Sequence, residues 1–366
     1  LCGQTAQEEK KEEEKQMKRE KRMTGKKLLA LVLALAMALA LLAACGSGDS
    51  GGGGIQEDDV VTFSITTGLV TADCFQNQSV QRFADEVKEL SDGKLVCNVL
   101  AGASVGGEAA IIEALQMGTL EMAYSSDIGI NQTIGTIGWA LLPMMITTKE
   151  DAETYYRNGW ISEKISEYML EAGIVRLGEG NNGIRGLATT GQIIDSIDDL
   201  NGFKVRVPGL DQLLDFWSNV GAMSVSVASE EQVSALEQGV MNGIDNNLYG
   251  DIGNGVYDYL SVWVPTNHEY CSSAICASKD WYESLPEQYQ EWIRTAATNA
   301  ANWLSESTWE LEEDLMAGMD GTSWTYVEID EEFQAQLKDA GMKVWDKYKD
   351  KYPQDIMDRI YEDFGK

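Results

Sequence analysis

The sequence predicts an α/β protein whose body forms two lobes. Three observations carry this. Between residues 61 and 126 the chain alternates strand, helix, strand, helix, strand, the order of a parallel sheet with helices on its faces. A second series of the same kind begins near Gly183. The length of 366 residues allows two packed lobes, and 44% apolar residues can fill their cores.

Val61, Phe63 and Ile65 alternate with polar residues, the mark of a half-buried strand. Val80, Phe83, Val87 and Leu90 recur at helical spacing up to a stop at Asp92-Gly93. KLVCNVL (94–100) is a second strand, and the turn GASVGGE leads into a helix over Ile112 and Leu115. LEMAYS (120–125) is a third strand. Helical periodicity then covers about Glu150 to Ala172, with a break at Gly159, and strand Ile174–Leu177 follows. In the second series FKVRVPG is a strand, LDQLLDFWSNVGA a helix, MSVSVA a strand and SEEQVSALEQGVMNG a helix. Residues 262–279 read as extended and cross between lobes. A long helix runs from Pro286, at its first turn, to about Met316, with Trp292, Trp303 and Trp309 as packing residues. The acids of 310–314 read as a solvated helix face, and the tail as amphipathic helix.

Composition excludes several functions. Acids outnumber bases 59 to 28, a net charge of −31, which repels phosphate and argues against a nucleic-acid partner. The single histidine, His268, cannot build a two-histidine zinc site, and it reads as structural, near the crossing between lobes. The six cysteines form no Cys-x-x-Cys pair. Cys97 reads as a small buried residue, and a Cys74–Cys271 bridge is left open. With no Walker loop, no dinucleotide fingerprint and no EF-hand spacing, no cofactor or metal is expected.

The chain opens with a charged stretch, residues 1–22, read as sequence upstream of a start at Met23. Lys26 and Lys27 then precede an uncharged run from Leu28 to Leu42, shorter than a spanning helix, so 23–44 reads as a secretory signal. Leu42-Ala43-Ala44-Cys45 resembles a bacterial lipobox, which makes Cys45 the expected lipidation site. Residues 45–59, rich in glycine up to Gly54, read as a flexible tether to a membrane.

Two serine motifs suggest hydrolysis. Gly48-Asp49-Ser50-Gly51-Gly52 lies in the tether, where no scaffold can hold a base beside it. Gly102-Ala103-Ser104-Val105-Gly106 sits between a strand and a helix with His268 downstream, so a Ser104 hydrolase is the enzymatic alternative.

Arg206 is the residue that points to binding. Beyond Cys45 the chain has only seven arginines, and in FKVRVPG this one faces away from Phe203, Val205 and Val207. Its charge cannot be removed by deprotonation, and its planar fork suits a carboxylate. That carboxylate belongs either to a bound ligand or to one of the chain's own acids.

The order of motifs resembles the DctP-type solute-binding proteins of TRAP transporters. GASVGGE, EALQMGTLEMAYSS, GIRGLATT, DDLNGFKVRVPG, SEEQVSALEQGVMNGIDNNL, TNHEY and DWYESLPEQYQEW follow the family's pattern in sequence over about 200 residues. The resemblance implies a two-lobed periplasmic-binding-protein-like α/β fold with an interlobe ligand cleft and a long helix spanning both lobes. Lobe 1 would comprise 60–183 with about 266–300, and lobe 2 184–265 with about 301–366. It implies a receptor, not an enzyme, that captures a small organic acid and delivers it to TRAP membrane subunits. An ABC importer or a sensor kinase is the alternative partner. It places the carboxylate anchor on Arg206, a second arginine on Arg185 and an asparagine on Asn246. Ser125, Trp217 and Met144 complete the candidate set, the last two as walls of a more apolar pocket. The family's Gln-Glu-Asn-Pro is Ile244-Asp245-Asn246-Asn247 here, and its Pro-Phe turn is Pro143-Met144, departures that favour a carboxylate with a hydrophobic body.

Overall fold

Strand β1 (Val61–Thr66) lies between β2 (Leu95–Leu100) and β3 (Met122–Ser126), parallel to both. The connections are helices α1 (Phe75–Leu90) and α2 (Glu108–Gln116), and α3 (Asp127–Ile134) follows β3. The computed structural model describes residues 55–69, 74–100, 102, 104–157, 159–319 and 323–365. The expected signal, Cys45 and residues 46–54 lie outside them, and no helix among the described residues is long and apolar enough to cross a membrane.

The second half repeats this plan. β5 (Lys204–Val207) lies between β6 (Met223–Ser226) and β7 (Gly243–Asn246), again parallel to both, with α5 (Asp211–Asn219) and α6 (Gln232–Glu237) as connections; the short helices α7 (Leu248–Gly253) and α8 (Lys279–Glu283) come later in the chain. Two long strands join the halves. β4 (Ile174–Thr189) and β8 (Val262–Ser278) run antiparallel at the centre of one sheet of order β2-β1-β3-β8-β4-β7-β5-β6, and the short β9 (Thr325–Tyr326) adds to β8. Their register shifts at three places, between Arg176 and Gly178, between Asn181 and Ile184, and between Arg185 and Leu187.

Before β4, the predicted helix over 150–172 is two pieces. A π-helical turn covers Ala152–Arg157, and Gly159 caps α4 (Trp160–Glu171). Gly159 is required there, since a Cβ would stand 2.3 Å from the Tyr155 carbonyl oxygen.

β4 extends twelve residues past its predicted end at Leu177. Glycines hid it, because they break the apolar alternation. They are needed for the close approach of helix α9 (Glu287–Gly318): a Cβ on Gly178 would stand 2.3 Å from the Ala297 carbonyl oxygen. At Gly183 the backbone is left-handed, with φ of +93°, and a Cβ would meet Glu312 at 1.9 Å. Helix α9 spans both lobes. Ile293 and Ala297 of its first half share one core with Phe63, Phe83 and Val87, and Leu315 and Met316 of its last turns pack against the core of the second half. Pro286 is its N-cap. Glu310, Glu313 and Asp314 form the exposed acidic face expected over 310–314, and Glu312 alone departs from it, buried against β4. The tail forms α10 (Glu331–Tyr348) and α11 (Gln354–Phe364), which bury Phe333, Trp345 and Ile360.

Candidate functional site

The carboxyl ends of the parallel strands from both lobes converge on one cleft of about 330 Å³. Gly68 and Leu69 follow β1, Ser126 ends β3, Pro208 and Gly209 follow β5, Ala228 and Ser229 follow β6, and Asn246 and Asn247 end β7. Open α/β sheets bind ligands at such ends, and the volume suits a small molecule. The lobes meet around it. Gln132 Nε2 of the first lobe donates to Gly209 O of the second at 3.4 Å, and the main-chain N–H of Gln76 donates to Tyr249 Oη at 2.9 Å.

Arg206 lies in this cleft. Val205 and Val207 beside it are fully buried, each holding β5 in place with about 1.5–3 kcal/mol of apolar burial. That burial offsets the cost, several kcal/mol, of taking a guanidinium out of water. Arg206 is 2% exposed. Its Nε donates to Val227 O at 2.8 Å and its Nη2 to Ser229 Oγ at 3.4 Å. No carboxylate among the described residues comes within ion-pair distance of it. Burial, then the charge of Arg185, push its pKa down to about 10. A buried, hydrogen-bonded cation without a counter-ion within ion-pair distance has the chemistry to take an anion.

Arg185 and Asn246 also line the cleft, but most of their hydrogen bonds are spent inside the protein. Arg185 Nε donates to Asp245 Oδ1 at 2.7 Å and lies 3.4 Å from Glu269 Oε2, and Nη2 donates to the Asp245 carbonyl. Asn246 Oδ1 accepts from Arg185 at 3.4 Å, and Nδ2 donates to Asp251 Oδ1 at 2.9 Å.

The other three candidates do not line the cleft. Ser125 is fully buried, and its Oγ donates to Glu108 Oε1 at 3.2 Å; its neighbour Ser126 is the residue that faces the cleft, as strand alternation requires. Trp217 is fully buried behind the site, where Nε1 donates to Asp245 Oδ2 at 2.6 Å. Met144, left-handed at φ 61°, lies beneath Gly341 of α10. The apolar walls expected from Met144 and Trp217 are thus absent. The lining is mixed: the amides of Gln76, Asn182, Asn247 and Asn254 lie beside apolar Leu69, Ile128 and Pro208.

His268 is fully buried, stacked on Phe216 with 5.1 Å between ring centres. Its Nδ1 is 2.8 Å from Thr266 Oγ1 and its Nε2 3.1 Å from Asp245 Oδ1. Ser104 is exposed on its turn and shares none of these contacts, so the nucleophile–base pair a hydrolase needs does not form. Cys97, Cys271 and Cys276 carry free thiols, so the Cys74–Cys271 bridge does not form; Cys97 is only half-buried.

Asp251 is fully buried beside this network. Burial dominates over the Asn246 hydrogen bond and the charges of Arg185 and Arg206; with Asp245 adding to it, the carboxyl is pushed up to about 7. Above that pH Asp251 carries a negative charge that competes for Arg206. Affinity for a carboxylate ligand is therefore expected to fall as pH rises through 7. Titrations at pH 6 and 8 should show the loss in the wild type and not in Asp251→Asn; an equal loss in both would contradict this assignment.

A two-lobed α/β protein with a cleft between its lobes, built around a buried arginine, is the class that this geometry defines. The profile of the bacterial extracellular solute-binding proteins, family 7 (DctP), matches residues 68–351, and the chain belongs to that family. That family comprises bacterial extracellular solute-binding proteins, receptors rather than enzymes. A solute-binding protein of Chromohalobacter salexigens is 26% identical over 226 residues, 61% of this chain and 66%, just under two thirds, of that protein. The sugar acid binding protein of Advenella mimigardefordensis, solved in complex with galactonate, is 21% identical with a TM-score of 0.78, over 84% of this chain and 98% of that one. A TRAP periplasmic solute-binding protein of Citrobacter koseri with bound D-glucuronate is 25% identical with a TM-score of 0.73, over 82% and 98%.

Proposed function

We propose that this receptor captures a polyhydroxylated organic acid and delivers it to a TRAP-type membrane symporter. The single observation that carries the reading is Arg206, buried in the cleft with no carboxylate among the described residues within ion-pair distance. Its guanidinium takes the ligand carboxylate, Arg185 and Asn246 adjoin it, and the amides of Gln76, Asn182, Asn247 and Asn254 offer both donors and acceptors to hydroxyl groups. The galactonate and D-glucuronate bound by similar proteins support the same class. Residues 60–183 with about 266–300 act as one lobe, 184–265 with about 301–366 as the other, and closure brings Arg206 onto a ligand held between them. Cys45 carries a lipid that holds the body at the membrane through the glycine tether, a reading supported by Leu42-Ala43-Ala44-Cys45 and testable by fatty-acid labelling of a Cys45→Ser variant against wild type.

A thermal-shift panel tests the ligand class. A bound acid at 100 times its dissociation constant stabilises by about 2.7 kcal/mol. D-glucuronate or galactonate should raise the midpoint, and phenylacetate, with its hydrophobic body, should not. A shift with phenylacetate and none with either sugar acid would contradict the proposal.

A further inference from the structure

A second cavity of about 330 Å³ lies where β4 crosses between the lobes. Ile184 lines it, whereas the next residue, Arg185, lines the ligand cleft, and successive side chains of a strand point to opposite faces. Its walls are aromatic: Trp263 of β8, Trp309 of α9 and Tyr326 of β9. Glu312 lines it too. This carboxylate is 6% exposed and takes a hydrogen bond from the Ile184 amide, while its Oε1 lies against Gly183 without a hydrogen-bond partner. Trp263 Nε1, also buried, has none either. Lys149 does not neutralise Glu312, because its Nζ is 3.0 Å from Glu313 Oε1. The same Nζ stands 5.4 Å from the centre of the Trp309 ring, so a wall of this cavity already holds one ammonium against an aromatic face.

We propose that this cavity is a second ligand site, separate from the acid-binding cleft, for a small organic ammonium with an aromatic or apolar body. The ammonium would pair with Glu312, and the body would lie among Trp263, Trp309 and Tyr326. Burial now holds the Glu312 carboxyl well above the usual range, and a bound cation supplies the counter-charge its surroundings lack.

Calorimetric titration of phenethylamine into the full chain tests this. One saturable site is expected, unaffected by excess D-glucuronate. Glu312→Gln, which keeps the side chain's size, should weaken it at least tenfold, and phenethyl alcohol should not bind. Lys149→Met, a change at the cavity rim where the side chain is half exposed, removes a like charge and should tighten binding at least twofold, which keeps the test decisive if Glu312→Gln does not fold. No saturable binding, displacement by D-glucuronate, equal affinity in Glu312→Gln, equal binding of the alcohol, or weaker binding in Lys149→Met would each overturn the proposal.

Discussion

Replacing Arg206 by Met is expected to weaken sugar-acid binding by about two to three powers of ten and at the same time to stabilise the ligand-free protein. Both effects come from the same fact. The guanidinium is buried, and its hydrogen bonds go to a carbonyl and a hydroxyl, not to a carboxylate. Truncating one side of a buried, hydrogen-bonded charge pair costs about 2–5 kcal/mol of binding, and each 1.4 kcal/mol is tenfold. Without ligand, however, the charge pays for desolvation and receives no ion pair in return. Replacing buried charges with well-packed apolar groups commonly stabilises by about 1–4 kcal/mol. At about 2–4 °C per kcal/mol, the thermal midpoint of ligand-free Arg206→Met should rise by several degrees. Arg206→Lys keeps the charge and loses the planar fork, so it should fall between the two, about tenfold weaker than wild type. Titration calorimetry with D-glucuronate and thermal unfolding of the same samples read both effects. A variant with lost affinity and a lowered midpoint would mean that Arg206 is a structural residue.

The largest effect on stability is expected at Asp245. This fully buried carboxylate accepts from Arg185 Nε at 2.7 Å and Trp217 Nε1 at 2.6 Å, with His268 Nε2 at 3.1 Å. Asp245→Ala strands the Arg185 charge, leaving it Glu269 at 3.4 Å as its one carboxylate within ion-pair distance among the described residues. Breaking a buried pair from one side costs about 3–5 kcal/mol, which lowers the midpoint by roughly 10 °C. Adding Arg185→Met to Asp245→Ala should recover much of this loss, since it removes the stranded charge. If the double variant is less stable than either single one, the pairing account is wrong. The pH dependence has a defined sign. Burial opposes ionisation of Asp245, but Arg185, His268 and the Trp217 hydrogen bond outweigh it and hold the carboxyl well below the usual range. Its contribution is therefore complete above the ordinary aspartate pKa. It is lost only as pH falls through the depressed value, so this network should outlast most of the protein's carboxylates during acid unfolding.

The parts of this fold that were legible in the sequence are those in which apolar residues recur with a clear period. β1, β2, β3, β5, β6 and α9 each present an alternating or helical pattern, and each was placed within a few residues. β7 gives no strand signal, because Gly243-Ile244-Asp245-Asn246 holds one large apolar residue, and the partners that satisfy its buried Asp245, Arg185 and Trp217, lie far along the chain. The second half of β4 was lost for the opposite reason: its glycines make room for α9 and leave no side chains to read. Arg206 stood out because a fixed charge interrupts an apolar strand. Asn182, Asn247 and Asn254 carry no such signal, since amides are equally at home in turns and caps. Ser125 was one residue out. A step of one along a strand reverses the face, so a candidate at the end of β3 is either in the cleft or behind it. Trp217 and Met144 are large and apolar, as pocket walls are, but so is the core, and only the tertiary structure separates the two.

The most direct measurement is a crystal structure of the protein grown with D-glucuronate. The carboxylate should lie against Arg206, both oxygens about 2.7–2.9 Å from guanidinium nitrogens, with the hydroxyl groups among Gln76, Asn182, Asn247 and Asn254. A sugar acid seated with its carboxylate away from Arg206, and that guanidinium still bonded only to Val227 and Ser229, would contradict the account.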